Sequence, residues 1–139
     1  MEWLIYALLS ALFAGLVGIF GKIGMRDVDS TLATGARSVI MAVILSVVVL
    51  WRGNVAEAKN INSRAWMFIA LAGVAGAASW LCYFRALQVG EASRVAPIDK
   101  LSVVATLLLA VLFLGEKPTA GIIFGTLLIV AGSLFIIRG

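Results

Sequence analysis

Five apolar stretches follow one another with short connections between them, roughly residues 4–23, 32–51, 65–87, 95–114 and 120–137. Each holds about 18–23 residues, and a helix of that length, rising about 1.5 Å per residue, crosses a hydrocarbon core of about 30 Å. An odd number of crossings puts the two ends of the chain on opposite sides of a membrane. No water-facing surface can be assembled from what remains, because 63% of the residues are hydrophobic and 13% are charged. In lipid every backbone N–H and C=O must be bonded within the protein, and runs this long and continuous select helices over the alternating pattern of a barrel strand. The expected fold is all-α, a multi-pass integral protein of the cell membrane with five transmembrane helices.

With 139 residues, almost all in spans or short connections, a single domain over 1–139 is expected and function must reside among the helices. The connections, about 24–31, 52–64, 88–94 and 115–119, are short enough to make successive helices antiparallel neighbours. Gly115 is placed to end the fourth helix in a left-handed conformation, and Pro118 suits the first turn of the fifth, where a missing N–H costs nothing. Ser93 is a candidate cap for the fourth helix, with Pro97 near its first turn; an earlier start would make Pro97 a kink. Glu2 stands where a signal peptide would be basic, so the first run is expected to persist as a span, with Trp3, Tyr6, Trp51 and Trp66 as interfacial anchors.

Small residues recur at helix-packing intervals: Ala7, Ala11 and Gly15; Ala14 and Gly18; Ala72 and Gly76; Gly121 and Gly125. Such spacing lets helix backbones approach closely in lipid. In the first and third spans the expected use is packing within the chain. At Gly121 and Gly125 a contact between two copies is an equal alternative.

The net charge of +4 does not point to nucleic acid, since the basic residues sit at span ends and not in a stripe interleaved with aromatics. With no histidine and the single Cys82 inside a span, neither a metal site nor a disulfide is expected, and no cofactor is called for. Gly15, Gly18, Gly21 and Lys22 fall short of a phosphate-binding loop, because the spacing is wrong and Ile23 follows the lysine.

The distribution of basic residues across the membrane is balanced. Arg52, Lys59, Arg64 and Lys117 share the side of the N-terminus; Lys22, Arg26, Arg94 and Arg138 share the other. Orientation follows a Lys/Arg excess on the cytoplasmic side, so four against four predicts weak orientation or insertion both ways. Arg37, Arg85 and Lys100, inside spans but nearer the second side, tip the count if they are included.

Ionisable groups inside spans call for an explanation, since at a span centre each costs about 2.5–3.5 kcal/mol on insertion scales. Arg37, Arg85, Asp99 and Lys100 lie at similar depth on one membrane side, which allows Arg85 or Arg37 to pair with Asp99. One acid cannot neutralise three cations; the surplus either attracts an anionic group of a solute or snorkels to the headgroups. Asp99 is too short to snorkel far and is a candidate for solute binding or proton coupling. Trp80 and Tyr83 lie on adjacent positions of one helix face, and Ser102 and Thr106 follow Asp99 at helical spacing. Aromatic walls with a few convergent polar groups describe a small-molecule site, and core filling with hydroxyls turned to the backbone is the alternative.

The run Tyr83-Phe84-Arg85-Ala86-Leu87, then Gly90-Glu91-Ala92-Ser93 with Pro97, then Leu114-Gly115-Glu116-Lys117, Gly125 and Ala131-Gly132 resembles the EamA-type domain of the drug/metabolite transporter superfamily, in its five-span bacterial and archaeal group. Lys22 and Arg37 match basic positions of that domain's first two helices. The resemblance implies a carrier of small organic solutes, an exporter or exchanger, in a bacterial or archaeal cytoplasmic membrane. Most relatives hold two such domains in inverted orientation, so a single domain implies pairing with a second copy or a paralogue turned upside down. The implied solute site comprises Trp80, Tyr83, Arg85, Asp99, Lys100, Arg37 and Ser102, with membrane lipids as surroundings and no nucleic-acid partner. Two alternatives stay open: a subunit of a lipid-linked head-group translocase, and a non-transport membrane scaffold.

Overall fold

The computed structural model describes residues 1–139, the Asn54 side chain aside, and among them there is helix and no strand. The elements are α1 (Glu2–Gly24), α2 (Ser30–Trp51), α3 (Ser63–Val89), α4 (Ala92–Asp99), α5 (Ser102–Leu109) and α6 (Ala120–Arg138). A 3₁₀ helix at Asn54–Asn60 fills much of the second connection, and a π-helical turn at Ala110–Leu114 continues α5. Five stretches are long and apolar enough to cross a membrane, with α4, α5 and the π turn together forming the fourth, Ala92–Leu114. Their outer faces are leucine, isoleucine, valine and phenylalanine left exposed, as a protein whose solvent is lipid requires. The chain divides into two compact units, one of Met1–Ile19 with Val89–Gly139 and one of Phe20–Gln88.

Helix ends follow local chemistry. Asp29 caps α2, its Oδ1 accepting the N–H groups of Thr31 and Leu32 at 2.9 and 3.0 Å. The Leu32 bond most of all, then the Thr31 bonds and the Arg85 charge, favour the carboxylate and hold the Asp29 pKa below its ordinary value against the opposing effect of desolvation. Thr119 caps α6 by accepting from the Ile122 N–H. Pro118 therefore stands just before the cap and not in the first turn, because the threonine oxygen supplies a partner that proline lacks. Gly115 closes the fourth span at φ +67°, the left-handed geometry expected of it, and the Glu116 N–H reaches back to the Ala110 carbonyl at 3.3 Å.

The start of the fourth span departs from the capped beginning expected at Ser93. Its N-cap is Glu91, with no side-chain cap bond, and Ser93 lies inside α4. Pro97 thus falls in the helix interior, the arrangement in which it interrupts the ladder. Just past it, the N–H groups of Lys100, Leu101, Val103 and Val104 reach three residues back instead of four, at 2.9–3.1 Å. The span tightens and breaks at Lys100 and Leu101 before α5 resumes.

In the unit of Met1–Ile19 and Val89–Gly139, α4 and α5 rest on α6. Ser133 of α6 is 3% exposed, and its hydroxyl donates to the Pro97 carbonyl at 3.2 Å. In the other unit the core is Phe84, 2% exposed, Leu87, fully buried, and Met25. Ser30 and Thr34 of the same unit are also buried, with the Thr34 hydroxyl returned to the Ser30 carbonyl at 2.7 Å. The expected intrachain packing of the small residues does not extend to Gly15 or Gly76, where an added Cβ would meet no atom within 4 Å.

Candidate functional site

The densest cluster of chemistry-bearing side chains in the unit Phe20–Gln88 gathers around the last turns of α3. Trp80 and Phe84 are four apart and so share a helix face, with ring centroids 5.6 Å apart and planes inclined at 40°. Tyr83 meets both edge-on, at 5.9 Å from Trp80 and 6.0 Å from Phe84. Arg37, about two turns into α2, lays its guanidinium carbon 3.6 Å from the Trp80 ring centre and 5.2 Å from that of Phe84. That is van der Waals contact with an indole face, where the ring quadrupole attracts a cation and does so more strongly away from water. Among the described residues of this unit, no acceptor is bonded to the Arg37 N–H groups, and none of its nitrogens is sealed from the surface.

The surrounding polar groups hold this cluster in place. Gly21 of α1 sits against Phe84 so closely that a Cβ there would come within 2.8 Å of the ring. The next residue, Lys22, donates its ammonium to the Leu87 carbonyl at 2.6 Å, at the C-terminal end of α3 where carbonyls lack helical partners. Arg85 donates to the Gln88 side-chain oxygen at 2.7 Å, and the Gln88 amide donates onward to the Val28 carbonyl at 3.0 Å. Arg85 therefore helps tie the end of α3 to the first connection.

The unit that carries α4 and α5 holds the remaining candidates. Asp99, the last residue of α4, pairs with its neighbour Lys100 at 3.3 Å, with 36% of its own side chain exposed. The pair sits at the interruption of the fourth span, about 12 Å along it from Ala92 at helical rise. Ser102 opens α5 and is exposed, as is Thr106 one turn on. The structure thus joins Arg37 with Trp80, Trp80 with Tyr83, and Asp99 with Lys100. Within the unit Phe20–Gln88 the partner of Arg37 is the Trp80 ring and that of Arg85 is Gln88. Three contributors were absent from the sequence-derived set. Phe84 was accessible from its spacing to Trp80, whereas Ser133 and Gln88 act through backbone carbonyls distant in sequence and leave no local signal.

Comparison with known proteins follows the same line. The EamA-like transporter family matches residues 1–138. A protein described as an uncharacterized transporter in the cobO 3′ region of a Sinorhizobium species is 44% identical over 135 residues, 97% of this chain and 96% of that one. The chain belongs to the EamA-like transporter family. No solved structure matches it. As an EamA protein of the drug/metabolite transporter superfamily with five apolar helices, it is a multi-pass membrane protein of a transporter family, which points to transport and not to enzymatic catalysis.

Proposed function

We propose that this EamA protein is a secondary transporter, an exporter or exchanger of a small organic solute, working by alternating access as a homodimer of two oppositely oriented copies. The observation that carries the reading is the interrupted fourth span, with Asp99 and Lys100 at the break. Backbone that leaves the α-helical ladder at membrane depth is tolerated where it faces protein or a water-filled cavity, and an intramembrane carboxylate marks a solute or proton path by default. Neither feature helps a passive scaffold.

In this reading Asp99 binds the solute or the coupling proton and Lys100 sets its electrostatics, while Ser102 adds a hydroxyl at the start of α5. Trp80 and Tyr83 wall the cavity, with Arg37 and Arg85 supplying positive charge. A five-helix unit lacks the second half that inverted-repeat carriers rock against, and a copy turned upside down supplies it. The balanced basic residues support that pairing, as does α6, where a Cβ at Gly125 would meet nothing within 4 Å inside the chain and the stripe stays open to another copy.

Proteoliposomes loaded with a pH-sensitive dye and exposed to a panel of candidate metabolites test the assignment. Solute-dependent proton movement is expected from the unmodified protein, with a loss of about tenfold or more in Asp99→Asn, the scale of a removed charge-assisted contact. Unchanged coupled flux in Asp99→Asn takes that residue out of the mechanism.

A further inference from the structure

We infer that the solute carries an oxyanion, a carboxylate or a phosphate, and that Arg37 held on Trp80 is the group that reads it; this rests on the transporter reading and specifies its substrate class. An aromatic cluster of Trp80, Tyr83 and Phe84 would, if empty, suit a cationic ligand, because ring faces attract positive charge. Here that face is already filled by the protein's own cation, with the guanidinium carbon 3.6 Å from the Trp80 centroid. A cationic solute would meet repulsion at this aromatic face.

The contact also leaves most of the guanidinium's bonding capacity unspent. A guanidinium carbon 3.6 Å from a ring centre leaves no room for an N–H between them, so the donors are directed away from the ring, in the fork that matches a carboxylate or phosphate. No acceptor among the described residues of this unit takes them. The acids of this unit, Asp27, Asp29 and Glu57, all lie in connections and none in a span, and Asp29 is committed to capping α2. The other two nearby cations are occupied, Lys22 with the Leu87 carbonyl and Arg85 with Gln88. Arg37 is thus a positioned cation, fixed from behind by Trp80 and steadied by Phe84, which Gly21 admits to close packing. A free fork of donors in a low-dielectric setting binds an oxyanion bidentately.

The same chemistry serves a free anionic metabolite and a phosphate attached to a lipid, and the experiment separates them. The full chain with Trp3, Trp51 and Trp66 replaced by Phe keeps Trp80 as its one indole and reports ligands by fluorescence in phosphatidylcholine vesicles. Benzoate and phenyl phosphate are expected to change that signal saturably, and benzylammonium to bind about tenfold more weakly or not at all. R37Q should abolish the anion response, and Arg37→Lys, which keeps the charge but loses the fork, should weaken it about tenfold.

A response to phosphatidic acid in the vesicles, with none to the soluble anions, supports the inference and assigns the oxyanion to a lipid. Equal binding of benzylammonium and benzoate overturns it, and so does an anion response that survives in R37Q. If R37Q fails to fold, judged by helical circular dichroism, the anion-to-cation comparison on the Trp80-only protein still decides. Anion binding without any solute flux in the proteoliposome assay would overturn the carrier reading alone and leave the oxyanion site standing.

Discussion

Gly21 is the residue on which the aromatic cluster turns. Its missing Cβ is what lets α1 approach the Phe84 ring, and Gly21→Ala places a carbon 2.8 Å from that ring, so the ring must move. Overpacking of this kind costs about 1–3 kcal/mol, and here the displacement falls on one of the two rings that hold Arg37. Reduced thermal stability together with a changed Trp80 emission spectrum is the expected outcome; a change in stability alone would mean the ring shifts without disturbing the stack. Asp29 gives a pH signature in a different place. Its carboxyl titrates below the ordinary value because the folded state bonds the ionised form, so the cap's contribution is complete above the unfolded pKa of about 3.9 and disappears as pH falls through the lower folded pKa. Hydrogen exchange at the Thr31 and Leu32 amides should therefore rise selectively below about pH 3.9, and Asp29→Ala should show the faster exchange at every pH. The charged candidates were legible in the sequence because a charge inside an apolar run stands out. Their partners were not, since the Trp80 face, the Gln88 oxygen and the Leu87 carbonyl are chosen by which helices pack together.

The fourth span shows how much one proline settles at the level of an element. All five spans were legible from apolar run length to within three residues at either end, because the bilayer fixes length and leaves little else free. The internal break was harder to read, since Pro97 is harmless in a first turn and disruptive in an interior, and the choice rested on whether the helix began at Ala92 or after Ser93. Pro97→Ala restores an N–H to the Ser93 carbonyl and removes the ring clash with it, so the first half of the span should stiffen and the Lys100 and Leu101 amides just past it should exchange more slowly. The Asp99–Lys100 pair would then be carried on a stiffer helix, and solute flux should fall even though the protein becomes more stable. Ser133→Ala acts on the same break from α6. It removes a bond worth about 1 kcal/mol to the Pro97 carbonyl, and it should loosen the kink without straightening it. Flux that rises with stability in Pro97→Ala would show that the break is not needed for turnover.

At the scale of the whole molecule, the number of crossings and the placement of basic residues act together. Five spans put the first connection, the third connection and the C-terminus on one side, and the N-terminus, second and fourth connections on the other, with four basic residues in each set. Orientation is decided by small differences in Lys/Arg count near span ends, and the proposed antiparallel pair requires that this chain, balanced at its span ends apart from the in-span Arg37, Arg85 and Lys100, insert both ways. A C-terminal tag should accordingly be labelled from both faces of the membrane in comparable amounts. Glu57→Lys with Asn60→Lys adds two positive charges to the second connection and should turn most molecules so that this side is cytoplasmic. Asp27→Lys with Glu91→Lys adds two to the opposite set and should turn them the other way. Each biased protein alone would then lack a partner of inverted orientation and should lose flux, while the two expressed together should recover it. The substitutions lie in connections and alter none of the candidate solute-site residues, so recovery on mixing identifies orientation and not site damage as the cause. Full flux from either biased protein alone would exclude the antiparallel pair and require a parallel assembly.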